Sequence, residues 1–263
     1  MNFYTGFHAI EEQVRRIAEE KEKSSIMPKI LYAKPGPRIK KILSQAQEAE
    51  IPAEEVSLKE LDDIALKLPA LARDHRGIIL CIEGEKEKPS NEVQLDQWIS
   101  NCPQTATVVI LDSVTDPHNV GAIVRSLDQF GADLLVIPEK RSASKIAENE
   151  IIARSSAGSS AWVPIATVTN LVRAAQMLKD AGFWIYGADA GGSPLQKTSF
   201  SEKTCIVMGS EGNGIARLLS QQCDQIISIP TSGKIDSLNV SVAAGILLYE
   251  RHRQNLEAEK ASN

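Results

Sequence analysis

The sequence predicts an α/β protein with a small N-terminal α/β unit and a larger C-terminal domain built on a parallel sheet. Three observations support this prediction. After residue 104, apolar segments of strand length alternate regularly with segments of helix length, which is the pattern of βαβ units. The strand segments are apolar throughout, as expected for a parallel sheet covered on both faces. A charged stretch at 83–91, EGEKEKPSN, interrupts the apolar periodicity and is typical of a linker.

The N-terminal unit is predicted to cover residues 1–82, followed by a linker at 83–104. Its first helix shows apolar residues at helical spacing, its second helix follows Pro37, and Ser57 has the character of a helix N-cap. In chain order, the predicted elements are a helix at 8–22, a strand at 29–33, a helix after Pro37, a helix after Ser57 and a strand at 77–82.

The C-terminal domain is predicted to cover residues 105–255, and a polar tail covers 256–263. Short apolar runs indicate the strands, and longer amphipathic segments indicate the helices between them. The predicted strands lie at 107–111, 133–137, 162–165, 183–188, 204–208 and 225–229. The predicted helices lie at 119–130, 147–157, 168–181, 214–222 and 239–253.

Composition excludes several classes of protein. The chain has 263 residues, 43% of them hydrophobic, and a net charge of −5 at pH 7, which argues against a protein that coats nucleic acid indiscriminately. No apolar run approaches the ~18–20 residues of a membrane span, and the N-terminus lacks the apolar segment of a signal peptide. Four widely spaced cysteines and four scattered histidines indicate reduced thiols, a cytoplasmic location and no metal site.

Functional residues are expected in the loops after the strands, because an open parallel sheet binds ligands beyond the carboxyl ends of its strands. The first such loop, at 111–126, has the sequence LDSVTDPHNVGAIVRS and contains Asn119 and Arg125. Asn119 lies where a helix N-cap belongs. As an alternative, Asn119 only caps the helix and Arg125 is only a solvated surface residue. Their spacing of six residues does not place them on one face of a helix, so it does not make them a functional pair.

The second loop, at 207–214, has the sequence VMGSEGNG, in which Gly209, Gly212 and Gly214 surround Glu211. Three glycines let the backbone approach a ligand closely or adopt positive φ. The order of residues matches neither the P-loop nor the dinucleotide fingerprint, and the anionic Glu211 is unsuited to a phosphate cradle. The alternative is a tight turn that precedes a helix.

The third loop, at 227–250, has the sequence ISIPTSGKIDSLNVSVAAGILLYE. Ser237, Asn239 and Ser241 lie at the start of the last helix, and three polar side chains exceed what capping requires. The small residues at 243–245 let another backbone approach closely. That close approach suits either a helix packed inside the fold or a subunit interface.

Together the three segments resemble the SpoU (TrmH) family of RNA 2′-O-ribose methyltransferases. The matching segments are DPHNVGAIVRS at 116–126, MGSEGNG at 208–214 and IPTSGKIDSLNVSVAAG at 229–245. The N-terminal segments GFHAIEE at 6–12 and HRGIILCI at 75–82 resemble the small RNA-binding domain, of the L30e type, of the family members that methylate a guanosine of 23S rRNA.

This resemblance implies a SPOUT-type catalytic domain with a deep trefoil knot, S-adenosylmethionine as cofactor, and a homodimer with composite sites. Carried over by position, Gly209, Ile229 and Leu238 would bind the cofactor, largely through backbone groups. The catalytic or near-catalytic set would be Asn119, Arg125, Glu211, Ser237 and Asn239.

Basic residues cluster in the N-terminal unit, where 23–47 contains six of them and no acidic residue. A solvated face would explain this cluster, but its position at a strand-to-helix turn also suits RNA phosphates. The predicted RNA-binding residues are Lys29, Lys34, Arg38, Lys40 and Lys41, and Lys23 completes the cluster. A second small cluster consists of Lys140, Arg141 and Lys145.

Other functions remain open from the residues alone. The same chemistry could act on tRNA, and a non-catalytic RNA-binding or ribosome-assembly protein could use the same scaffold. The intact set of Asn119, Arg125, Glu211 and Asn239 argues against the second possibility. A nucleotide-dependent dehydrogenase is disfavoured because no glycine fingerprint follows the first strand of the domain.

Overall fold

The computed structural model describes residues 2–19, 27–68, 73–83, 91–140, 146, 149–210, 212–233 and 237–262. The chain forms two compact units. The N-terminal unit consists of Met1–Ser90 and Lys145–Trp162, and the C-terminal unit consists of Asn91–Ser144 and Val163–Asn263. This division is discontinuous, whereas the sequence predicts two consecutive domains.

A four-stranded sheet forms the centre of the N-terminal unit. The strands are β1 (Asn2–Thr5), β2 (Met27–Tyr32), β3 (Ala53–Glu55) and β4 (Ile78–Glu83). Their order in the sheet is β1-β4-β2-β3. Strand β4 is antiparallel to both β1 and β2, and β3 is parallel to β2. The helices are α1 (Phe7–Glu19), α2 (Pro37–Glu48) and α3 (Leu58–Ala65).

Alternate residues of β4 face two separate hydrophobic clusters, as strand geometry requires. Ile78 and Leu80 pack with residues of α1 and α2, while Ile79 and Cys81 pack with Leu61 of α3. The predicted cap of α3 is confirmed. The Ser57 hydroxyl accepts from the Glu60 amide at 3.2 Å, and the Glu60 carboxylate accepts from the Ser57 amide at 2.8 Å.

Helix α6 (Glu150–Ser155) also belongs to the N-terminal unit, although the sequence assigns it to the C-terminal domain. Its Ala153 is buried in the same cluster as α1 and α2. The Arg154 guanidinium lies 2.9 Å from the Asp74 carboxylate. Gly158, at φ +97°, touches α1 so closely that a Cβ there would lie 2.3 Å from Glu12 Cγ. These contacts explain why the segment packs with the N-terminal unit.

A six-stranded sheet forms the centre of the C-terminal unit. The strands are β5 (Ala106–Leu111), β6 (Leu134–Pro138), β7 (Ile165–Val168), β8 (Trp184–Pro194), β9 (Lys203–Met208) and β10 (Gln225–Ser228). Their order in the sheet is β10-β8-β9-β5-β6-β7, and every neighbouring pair is parallel. The predicted parallel sheet is therefore confirmed. The helices are α4 (Leu95–Asn101), α5 (Pro117–Gln129), α7 (Leu171–Asp180), α8 (Arg217–Ser220) and α9 (Val240–Ser262).

Two segments that the sequence predicts as a linker and a polar tail contain helix. The predicted linker at 83–104 includes α4, whose Leu95 is buried and whose Trp98 ring lies 6.2 Å from that of Phe183. The predicted polar tail at 256–263 continues α9 as far as Ser262. An ion pair between Arg253 and Glu257, one helical turn apart, stabilises this extension.

Helix α5 begins earlier than predicted. Asp116 is its N-cap, because the Asp116 carboxylate accepts from the His118 amide at 2.9 Å, and Pro117 occupies the first turn. Asn119 therefore lies inside the first turn, and the prediction that it occupies the N-cap position is wrong. Its side chain is thus not needed for capping.

Membrane spans and metal clusters are both absent from the described residues. No described helix is both long and apolar enough to cross a membrane. No group of three or more His, Cys, Asp or Glu side chains could hold a metal ion in the ranges that the structure describes. All four cysteines are free thiols, and burial raises the pKa of Cys81 and of Cys223 to about 11.

Candidate active site

The candidate site lies at the carboxyl ends of β5 and β9, which are neighbours in the sheet. They pair from Ala106 and Lys203 to Leu111 and Met208, so both strands end at the same level. The strand that follows β5 in the chain, β6, lies on one side of this pair, and the strand that follows β9, β10, lies on the other side. Such a reversal of strand order is where open α/β sheets bind ligands.

Two asparagines that are 120 positions apart in the chain meet at this edge. The Asn239 Nδ2 donates to Asn119 Oδ1 at 2.9 Å. The Asn239 Oδ1 accepts from the Ser241 amide at 3.0 Å and from the Ser241 hydroxyl at 2.6 Å. Asn239 therefore caps α9 and also joins α9 to α5. This bond brings the first and third loops together.

Arg125 lies on the exposed side of α5, one residue after the buried Val124. Within the part of the chain that the structure describes, its side chain forms no hydrogen bond or ion pair. An exposed guanidinium of this kind can bind an anion without first breaking a bond inside the protein. The position therefore suits contact with a charged substrate.

The described residues from the end of β9 to the start of α8, 209–210 and 212–216, contain most of the second loop and are called the glycine loop. The Ser210 amide donates to the Gly214 carbonyl at 3.1 Å, and the Gly214 amide donates to the Ser210 carbonyl at 3.0 Å. A Cβ on Gly209 would lie 2.1 Å from the Gly214 carbonyl carbon, so only glycine fits there. Gly212 and Gly214 adopt φ of +90° and +63°. Glu211 lies outside the described residues.

The three positions assigned to the cofactor by resemblance offer backbone groups rather than charged side chains. In the described ranges, Gly209, Ile229 and Leu238 make no backbone hydrogen bond to another residue. Ile229 is half-buried, and Leu238 and Ser237 are exposed. S-adenosylmethionine has polar groups on its purine and amino acid and also has apolar surface. Backbone amides and carbonyls without a described partner, beside apolar side chains, can bind such a ligand.

The predicted basic cluster divides into paired and unpaired residues. Lys29 forms an ion pair with Glu54 at 2.5 Å, and hydrogen bonding to Glu54 raises the pKa of Lys29. Arg38 pairs with Glu11 at 3.1 Å. The other predicted RNA-binding residues described as exposed, with no ion pair to a described residue, are Lys34, Lys40 and Lys41. Lys23, Arg141 and Lys145 lie outside the described residues.

A cavity of about 790 Å³ opens at the opposite edge of the sheet. Thr105 and Glu202, which precede β5 and β9, line it together with the second half of α9. The cavity is therefore separate from the candidate site at the carboxyl ends of the strands.

Sequence reasoning did not single out Asp112, which follows β5 directly and is only 7% exposed. Its carboxylate accepts from the Ala216 amide at 2.7 Å, at the end of the glycine loop. An acidic residue placed immediately after a fully apolar strand is the signal in the sequence that marks it.

Comparison with known proteins agrees with this geometry. Residues 106–249 match the model of the SpoU rRNA Methylase family. The 23S rRNA (guanosine-2′-O-)-methyltransferase RlmB of Vibrio parahaemolyticus is 34% identical over 258 residues, which cover 98% of each chain. An "Uncharacterized tRNA/rRNA methyltransferase" of Borreliella burgdorferi is 38% identical over 231 residues, covering 85% of this chain and 97% of that protein.

Among solved structures, the SpoU methyltransferase AviRb from Streptomyces viridochromogenes, in complex with the cofactor AdoMet, shares the fold. It superposes with a TM-score of 0.72 at 22% identity and covers 97% of this chain and 90% of its own. The family match spans more than half of the chain and includes the three segments at 116–126, 208–214 and 229–245. The protein belongs to the SpoU rRNA methylase family.

Proposed function

We propose that this protein is an S-adenosylmethionine-dependent RNA methyltransferase that methylates the 2′-oxygen of a guanosine ribose in 23S rRNA. One observation carries the proposal: the Asn119–Asn239 hydrogen bond joins two family segments beside the glycine loop, at the edge of the sheet where ligands bind. The full-length similarity to RlmB proteins supports 23S rRNA as the substrate, because it extends over the N-terminal unit as well.

The residues present fit the cofactor. Gly209, Ile229 and Leu238 would hold it through backbone groups that are not hydrogen-bonded to other described residues. When bound, S-adenosylmethionine supplies an electrophilic methyl group. The protein's own contribution is then to orient the ribose and to help its 2′-hydroxyl lose a proton.

We assign to Arg125 the role of stabilising the negative charge that develops on the ribose. Arginine stays protonated under nearly all conditions in proteins, so it is a poor proton acceptor. As a cation, Arg125 stabilises the developing alkoxide or holds the adjacent phosphate. Asn119, Ser237 and Asn239 position the nucleotide, and positioning alone supplies a large part of such a rate enhancement. The resemblance of its motif to the family assigns Glu211 to the same group of catalytic or near-catalytic residues.

We also propose the finer features of the fold that the resemblance implies. The two described ends of the connection from β10 to α9 lie at an edge strand and beside α5, with β8 and β9 between them in the order of the sheet. A crossing of this kind is compatible with a trefoil knot, which few folds contain. The N-terminal unit, with its mixed four-stranded sheet, would be the L30e-like RNA-binding domain.

The surface of α9 supports the proposal of a homodimer. Four large apolar side chains lie along one face of this helix and are substantially exposed: Val242 (50%), Ile246 (36%), Tyr249 (54%) and Leu256 (42%). These residues are called the α9 stripe. The helix begins at the candidate site, so a second copy packed on the stripe would lie close to that site. The dimer with composite sites, working in the cytoplasm, is the assembly we propose.

The decisive experiment maps ribose methylation across all RNAs in a strain that lacks the gene, with the wild-type gene returned as a control. The proposal predicts loss of one methylated guanosine in 23S rRNA and its recovery on complementation. Loss of a methylated nucleotide in tRNA instead would overturn the choice of substrate. An unchanged methylation map would favour the non-catalytic RNA-binding alternative.

A further inference from the structure

Among the described residues of the C-terminal unit, three aspartates use their carboxylates to bind a backbone amide from a distant part of the chain. Asp133 accepts from the Thr107 amide at 2.7 Å, and Asp224 accepts from the Ile185 amide at 2.8 Å. Both bonds lie at the amino ends of strands, away from the candidate site. The third, Asp112, lies at the carboxyl end of β5 and binds the Ala216 amide at 2.7 Å.

Asp112 differs from the other two in what it connects. Its own amide donates to the Met208 carbonyl at 2.8 Å, directly before the glycine loop. Its carboxylate binds Ala216, directly after Gly214 and Ile215. A single buried residue therefore holds both ends of the glycine loop against β5. The second carboxylate oxygen accepts from the Ser113 hydroxyl at 3.0 Å.

The glycine loop transmits this restraint because its backbone segments touch one another. Gly209 lies against the backbone of Gly214, and reciprocal bonds between Ser210 and Gly214 close the loop. A shift of Ala216 would therefore displace Gly214 and, through it, Gly209. The free backbone groups of Gly209 are those assigned to the cofactor.

We infer that Asp112 is a positioning residue, which fixes the glycine loop in the conformation that binds S-adenosylmethionine. It is buried and both of its carboxylate oxygens accept hydrogen bonds within the protein, so it would act through the Ala216 amide. The inference rests on the proposed function, because it takes the glycine loop as part of the cofactor site.

The test measures S-adenosylmethionine binding by calorimetry, without RNA, so it does not depend on methyl transfer. Asp112→Ala leaves the Ala216 amide without its acceptor, and we expect the cofactor Kd to rise by about tenfold or more. Asp112→Asn keeps an oxygen that can accept from Ala216, and it should restore the Kd to within about threefold of wild type. In methyl transfer, the KM for the cofactor should rise more than kcat falls.

Asp133→Ala is the matched control, because it removes the same kind of bond at the other end of the same strand. It should lower Tm as much as Asp112→Ala does and leave the cofactor Kd unchanged. If Asp112→Ala does not fold, Ala216→Pro removes the donor instead, at a φ of −55° that proline tolerates. It should weaken cofactor binding by a similar factor.

The outcomes separate this inference from the proposed function. If the wild-type protein binds S-adenosylmethionine and Asp112→Ala binds it equally well, the inference is overturned and the proposed function stands. Equal losses of affinity in Asp112→Ala and Asp133→Ala would overturn it as well, because the effect would then be general destabilisation. If the wild-type protein does not bind the cofactor, both proposals fail together.

Discussion

At the scale of single residues, Arg125 contrasts with two other arginines of the same unit. Arg251 is buried and donates to the Glu202 carbonyl at 2.7 Å, and burial lowers its pKa. Arg253 forms ion pairs with Glu250 and Glu257. Both stabilise the fold. Arg125 forms no such bond in the described ranges, so its charge remains available for a substrate.

Replacement of Arg125 by alanine should therefore separate catalysis from cofactor binding. We expect kcat to fall by at least about 100-fold, as for the loss of other groups that stabilise developing charge. The S-adenosylmethionine Kd, measured by calorimetry, should stay within about twofold of wild type, since binding uses other residues. The Tm should not change, because no bond within the described protein is removed. A large loss of cofactor affinity would show that this role for Arg125 is wrong.

The individual roles could be predicted from the sequence only in part. The motifs identified Asn119 and Asn239, but only the folded chain shows that one donates to the other, since 120 positions separate them. The N-cap assignment of Asn119 is wrong because Asp116, three residues earlier, is an equally good cap and is followed by Pro117. The position of Asp112 after an apolar strand marks it in the sequence, but its role could not be predicted, because its partner, Ala216, has no distinctive side chain.

At the scale of elements, strong apolar periodicity predicts the strands of the parallel sheet, whereas weakly patterned elements escape prediction. Strand β3, with the sequence AEE, has no buried residue and is a strand only because its backbone pairs with β2. Helix α4 falls within the predicted linker because polar residues surround Leu95 and Trp98. Helix α9 extends beyond its predicted end because charged residues dominate its last turns, where ion pairs replace apolar packing.

The glycine loop provides a prediction at the element scale. Gly209→Ala places a methyl group within 2.1 Å of the Gly214 backbone, which cannot move aside like a flexible side chain. We expect the free energy of unfolding to fall by more than about 2 kcal/mol. Cofactor binding should be lost as the loop is displaced. Chemical denaturation and calorimetry measure the two effects.

Gly131→Ala is the control for this substitution. Gly131 has a φ of +66°, and a Cβ added there would meet no atom within 4 Å. The substitution therefore lowers the free energy of unfolding only by the cost of holding alanine in the left-handed conformation, which is about 1–2 kcal/mol. Gly131 follows α5 and precedes β6, at the end of the sheet opposite the glycine loop. The cofactor Kd of this variant should equal that of wild type. Unimpaired cofactor binding by Gly209→Ala would contradict the close packing of the loop.

At the scale of the whole molecule, the net charge of −5 does not describe the surface that is proposed to bind RNA. Acidic residues neutralise Lys29 and Arg38, but Lys34, Lys40 and Lys41 remain exposed without an ion pair in the described part of the N-terminal unit. A local group of unpaired cations binds phosphates even when the total charge is negative, because salt screens charges beyond about 10 Å. The RNA-binding role assigned to this unit is consistent with that arrangement.

Reversal of Lys40 and Lys41 to glutamate should weaken RNA binding and leave cofactor binding unchanged. We expect the RNA affinity to fall by about tenfold or more at physiological salt, and the slope of its salt dependence to fall by about 0.7 for each phosphate that is no longer neutralised. Filter binding with a 23S rRNA fragment at several salt concentrations measures both. The control variant reverses Lys59 and Lys67, exposed lysines in or just after α3, and so changes the net charge equally. Equal losses in the two variants would contradict a specific role for the patch.

The α9 stripe makes the assembly testable. Ile246 lies at its centre, and in a two-fold interface each substitution acts twice. Ile246→Glu would therefore bury two unpaired carboxylates, which costs several kcal/mol, about enough to dissociate a dimer of ordinary affinity. We expect light scattering to report a monomer, and we expect that monomer to have lost methyl transfer, because the proposed site is composite.

Leu218→Glu is the control, because it changes a leucine of α8 that is 58% exposed and lies off the stripe. This variant should remain dimeric and active. A dimeric Ile246→Glu protein would exclude the stripe as the interface, and a fully active monomer would exclude the composite site.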